Sequence, residues 1–201
     1  MKKIIYFIAM ALLCSMTITL QAQEANDKAA EKAAKKAEKE AKKAEKEAKK
    51  AAEKAAQEAL FQQALLAINN KNFVLEADRV EGKRGQFVYV NSNTNFVAVN
   101  GDEATVQLAL NGAFSGPNGV GGITVEGKTS KVEIEQDKKG NVSFSMMVQG
   151  VGISAQLTFR MAKGSNECTA TILPNFNSNR VSFTGKILPT AQSTVFKGRS
   201  L

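Results

Sequence analysis

The chain has 201 residues, with 27 Lys and Arg against 19 Asp and Glu, and it contains no histidine. The missing histidine excludes the usual Ser-His and Cys-His proton relays. The net charge of +8 permits contact with acidic polymers without requiring it.

At the N-terminus Lys2 and Lys3 precede the apolar run Ile4 to Leu13, and Leu20-Gln21-Ala22 follows. A basic start, a short apolar core and a small residue at the cut predict a secretory signal peptide over 1–22, cleaved between Ala22 and Gln23. Ser15, Thr17 and Thr19 interrupt the run before about 18 apolar residues accumulate, which argues against a membrane span and leaves no transmembrane segment after cleavage. Leu13 stands where lipidation of Cys14 needs a small residue. Removal of Cys14 leaves Cys168 alone, so no internal disulfide can form and stability rests on a packed core. Cys168 shares a strand face with Ala170 and Ile172 and reads as a small, inert hydrophobe.

Residues 23–58 form a low-complexity segment in which Ala, Lys and Glu, all strong helix formers, make up almost everything after Asp27. Helical from 27 to 68, it would extend about 60 Å. Alanines from Ala30 to Ala55 step by three and four, the spacing of a coiled-coil seam. Each Ala offers little area to bury, and Glu58 ends the register. Glu31–Lys35, Glu38–Lys42 and Glu45–Lys49 are favourable pairs at i, i+4. The balance favours a solvated single helix acting as a spacer in a monomer, with weak helix-mediated self-association through the Ala seam or a largely disordered tail as the alternatives. The stripe Phe61, Leu65 and Ile68 predicts a docking helix at 59–68, and Asn69-Asn70-Lys71-Asn72 stops it.

From Phe73 the period changes to two. "FVLEADRV", "KVEIEQD", "NVSFSMMVQG", "GISAQLTFRM", "ECTATIL" and "RVSFTGKIL" alternate, separated by "EGKRG", "NSNTN", "DKKGN", "KGSNE" and "NFNSN". In "KVEIEQD" the pattern buries Val132 and Ile134. The whole is an all-β antiparallel domain, 59–201 with its docking helix, of about 8–10 strands, either barrel or sandwich.

The strings "NFVLEAD", "NFVAVNGDEATVQLA", "GPNGVGGITVEGK", "GNVSFSMMVQG" and "FTGKILPTAQSTVFKG" resemble the domain-of-unknown-function 4251 family over roughly 60–201. The resemblance implies a secreted bacterial protein with a lipocalin-like β-barrel. It implies no activity and no functional residues.

"GITVEGKT", residues 122–129, satisfies the phosphate-loop pattern, but strand formers occupy the loop and another alternating strand follows instead of a helix. "GPNGVGG" reads as a tight turn using positive φ. No catalytic residue, cofactor site or metal site emerges, so an enzyme is not expected. The lysine-rich stretch holds no aromatic for base stacking, which argues against specific nucleic-acid binding. Phe144, Met146, Phe159 and Met161 fall on the buried faces of adjacent long strands. They either fill the barrel or bind a small apolar ligand. Two functions follow: a ligand-binding module of the cell envelope, or a structural or interaction protein there that touches acidic envelope polymer and holds no ligand.

Overall fold

The computed structural model describes residues 2–110, 116–176 and 179–201, with side chains from 35 onward. Contacts divide the chain into two compact units, 1–53 and 54–201. The first is helix, part of α1, which runs from Lys2 to Asn69. The cleavage positions Ala22 and Gln23 lie outside the described side chains. Every side chain from 35 to 57 is exposed, so the seam alanines Ala37 to Ala55 face solvent. Of the expected ion pairs, Glu38–Lys42 closes at 2.6 Å; two pairs of the reverse order, Lys36–Glu40 and Lys43–Glu47, stand at 4.0 Å. Such exposed pairs contribute little, so propensity carries this stretch of helix.

In the second unit the apolar stripe meets the sheet. Phe61, Ala64, Ala67 and Ile68 are buried in the same cluster as the inward side chains of the strands, and Leu65 packs against it. The helix ends where the Lys71 N–H donates to the Ile68 carbonyl at 2.9 Å and Lys71 turns to a φ of 50°. The Gly101 N–H then donates to the Lys71 carbonyl at 2.7 Å, joining the helix exit to a neighbouring turn.

Nine strands follow among the described residues: β1 Asn72–Gly82, β2 Phe87–Tyr89, β3 Phe96–Asn100, β4 Glu103–Ala109, β5 Gly122–Gln136, β6 Val142–Gln149, β7 Ser154–Met161, β8 Glu167–Pro174 and β9 Val181–Pro189. Each pairs antiparallel with the next from β3 to β9, and β1 pairs with both β3 and β9. Eight strands therefore close a barrel. The periodicity left barrel and sandwich open, and the β1–β9 ladder, from Phe73↔Pro189 to Gly82↔Val181, decides for the barrel. The small β2 pairs only with residues 79–81 of β1, beyond the end of β3.

Alternation within the strands follows the burial closely. β6 buries Val142, Phe144, Met146 and Val148, and β7 buries Ala155, Leu157, Phe159 and Met161. β5 departs from expectation. Ile134 sits opposite the buried Phe144 yet is 39% exposed, and Val132 is only half-buried. The reason is length. β4 leaves β5 after the Glu103↔Lys128 pair, and the ladder to β6 shifts register between Ser130 and Glu133. The far half of β5 therefore has a strand on one side only.

"GITVEGKT" lies within β5, paired to β4 from Gly122↔Ala109 to Lys128↔Glu103, so its amides serve a ladder and form no phosphate cradle. The preceding glycine cluster is a turn. Gly116, Gly119 and Gly121 take positive φ of 60°, 78° and 96°, which glycine adopts without steric cost.

Candidate functional site

The four residues expected to meet a ligand converge in the barrel. Phe144 and Phe159 are direct cross-strand partners, and their rings stack with centroids 4.2 Å apart and planes 8° from parallel. Phe73 of β1 reaches across to both, edge-on, at 5.4 Å from Phe144 and 5.7 Å from Phe159. Met146 faces Leu157, and Met161 lies between Val142 and Cys168 in the ladder. All four side chains are buried, and Phe61, Ala64 and Ile68 of α1 join them in one core. Three interlocked rings contributed by three strands give the centre of the barrel the packing of a core.

Concave surfaces lie toward the outside. A cleft of about 580 Å³ beside the β5–β6 hairpin is lined by Glu135, Asp137, Asn141, Ser143, Arg160 and Met161, among others. Asp137 is occupied with its own turn: its carboxylate accepts from the Lys139 N–H at 2.8 Å and from the Asn141 N–H at 2.9 Å. The Asn141 side-chain amide, at 2.8 Å, is the leading cause of its lowered pKa. A second groove, of about 510 Å³, lies across Thr158, Arg160, Thr169, Thr171 and Arg180.

One feature of the barrel escaped sequence reasoning. After β9 and a 3-10 turn at Thr190–Gln192, the chain has no further helix or strand, yet it is bound to the outer face of the sheet. Gln107 of β4 points outward and is fully buried. Its amide nitrogen donates to the Phe196 and Thr94 carbonyls, both at 2.9 Å. Its amide oxygen accepts from the Gly198 N–H and from the Thr124 hydroxyl, both at 2.7 Å. Further along, Glu76 accepts from the Ser193 hydroxyl at 2.7 Å and the Thr194 N–H at 3.0 Å. The Leu201 N–H donates to the Thr124 carbonyl at 3.1 Å. Glu126 pairs with Lys197, the leading cause of its lowered pKa. Side-chain bonds thus join the main-chain bonds from the Phe196, Arg199 and Leu201 N–H groups to the Asn93, Asn118 and Thr124 carbonyls in fixing this strap. Gly198 permits it, because a Cβ there would stand 2.5 Å from the Asn118 carbonyl oxygen. The only trace in the sequence is the "VFKG" run; the outward burial of Gln107 leaves none.

Cys168 is buried in the core, and burial pushes its thiol up to about 12 from 9.0. Among the described residues, no group of three or more His, Cys, Asp or Glu is placed to hold a metal ion.

The family "Domain of unknown function (DUF4251)" matches residues 55–187. The chain belongs to that family. The matched span takes in the docking turns of α1 and most of the barrel, and stops before the strap. A crystal structure of a DUF4251 family protein from Bacteroides eggerthii DSM 20697 is similar at 47% identity with a TM-score of 0.62. It covers 74% of this chain and 99% of its own. No curated protein matches.

Proposed function

We propose that this DUF4251 protein is an exported, non-enzymatic envelope protein whose filled β-barrel acts as an interaction module through its outer surface. Residues 1–22 serve as the signal peptide and 23–58 as a helical spacer. The observation that carries the reading is the Phe73–Phe144–Phe159 cluster, which occupies the space an apolar ligand would need. The absence of histidine from the whole chain and the raised thiol of Cys168 support a role without nucleophilic catalysis. The exposed lysine-rich helix supports contact with acidic surfaces.

A second reading places a small apolar ligand against Phe144, Met146, Phe159 and Met161. It is favoured by Met161, which is buried in the core and also lines the 580 Å³ cleft. Native mass spectrometry of protein purified from its own envelope decides between the two. The expected spectrum contains the bare chain mass, and envelope lipid extract leaves the unfolding temperature unchanged. A retained small molecule, displaced in Phe159→Ala, would overturn the filled-barrel reading.

A further inference from the structure

The 510 Å³ groove lies on the outer face of β7, β8 and β9, and its side chains are set by the ladder register. One row across the strands runs Arg160, Thr169, Thr184; the next runs Thr158, Thr171, Ser182. Arg180 stands one outward position beyond Ser182, just before β9 begins. The two arginines therefore bracket the groove from opposite ends, two rows and two strands apart. At ~3.3 Å per residue and ~4.8 Å per strand, their backbone positions are separated by roughly 16 Å.

No carboxylate lines the groove, and neither Arg160 nor Arg180 has an acidic partner among the described residues. The acids nearby flank the groove: Glu135 of β5 stands in the row of Arg160 beyond Ser143 and shares the 580 Å³ cleft with it, and Glu167 of β8, one outward position past Thr169, stands opposite Lys186. Each guanidinium offers a planar fork of donors matched to a carboxylate. Between them, the hydroxyls of Thr169 and Thr184 are 3.2 Å apart, and those of Thr171 and Ser182 are 3.3 Å apart. Each such pair uses one proton internally. It keeps one free donor and several acceptor lone pairs, the mixed capacity that a sugar hydroxyl requires. No aromatic ring lines the groove, so base stacking has no platform there.

We propose that this face binds an acidic polysaccharide. Arg160 and Arg180 each engage a carboxylate on different sugar units, and the Thr and Ser rows meet the hydroxyls between them. The inference rests on the reading that the barrel acts through its exterior. It names the surface and the ligand class, and it assigns specificity to the barrel while the helix supplies only general attraction. Because the two arginines are far apart, a polymer satisfies both, while a single acidic sugar reaches one.

The test is binding of the purified full chain to polygalacturonate, to galacturonate monosaccharide and to neutral dextran, by calorimetry at about 0.15 M salt. Variants are R160Q/R180Q and, matched in charge, K42Q/K43Q on the exposed helix. Arg160 and Arg180 are both exposed, so the fold tolerates their replacement. The expected result is polymer binding that falls at least about tenfold in R160Q/R180Q and less than about threefold in K42Q/K43Q, with weak monosaccharide binding and none to dextran. Equal losses in the two double variants would overturn the site, since general charge would then explain the binding. Absence of polymer binding by the parent would overturn it as well. Neither result touches the filled-barrel reading, which is tested by a retained apolar mass and by the Phe→Ala losses in the core.

Discussion

Phe144 and Phe159 face each other across the β6–β7 ladder as stacked rings, centroids 4.2 Å apart, with Phe73 edge-on to both. A ring deleted from such a cluster leaves a void among the remaining two. Phe144→Ala and Phe159→Ala are each expected to lose about 3–5 kcal/mol in denaturant unfolding. A loss under about 1 kcal/mol at both positions would mean that space already exists beside the rings.

Gln107 is the peg that fastens the C-terminal strap. Gln107→Ala leaves the Gly198 N–H and the Phe196 carbonyl without their partners, and one or both must then reach water. The expected cost is about 1–3 kcal/mol. Hydrogen exchange should show the Gly198 amide losing protection while amides of β6 and β7 keep theirs. Unchanged protection at Gly198 would show that the strap is held by other contacts.

The two parts of α1 should separate in stability. Removal of residues 24–53 takes away only exposed helix from the described side chains and should shift the unfolding temperature of the barrel by no more than a few degrees. Phe61→Ala, by contrast, empties a core position and should cost about 3–5 kcal/mol. A large loss from the deletion would refute the spacer role.

Cys168 gives a pH prediction with a defined sign. Its thiol ionises near 9.0 when unfolded and near 12 when folded, so between those values the unfolded chain releases a proton that the folded chain keeps. Stability therefore falls as pH rises through this window, by up to ~1.4 kcal/mol per unit, and nothing is lost at pH 7. The slope in Cys168→Ala should be shallower by that amount. At pH 8, thiol-alkylating reagent should label Cys168 only after unfolding.

Export is checked on the protein itself. N-terminal sequencing of the mature form should begin at Gln23, and recovery of the uncleaved chain from the cytoplasm would defeat the prediction.

Periodicity of side chains is enough to read the strands, because successive side chains of a strand point to opposite faces. That alternation places Phe144, Met146, Phe159 and Met161 inward, and the 3.6-residue period of a helix does the same for Phe61 and Ile68. The residues "IEQ" in β5 show the limit. Alternation assigns Ile134 inward, but burial also needs a neighbour, and β4 has already left the ladder at Lys128.

Closure of the barrel was decided by the ladder between β1 and β9, whose paired residues run from Phe73↔Pro189 to Gly82↔Val181, far apart along the chain. So was the burial of Gln107, whose partner Gly198 is 91 residues away. The sequence by itself determined the two periods, the helix of the Ala/Lys/Glu stretch, the strand faces and the lack of a histidine-based site. Only the tertiary structure decided that three phenylalanines meet in the interior, that the C-terminus is a strap, and that Arg160 and Arg180 share one groove. The physical reason is range. Side-chain alternation and helix propensity are local properties, whereas ring stacking, strap binding and charge proximity depend on which distant strands become neighbours.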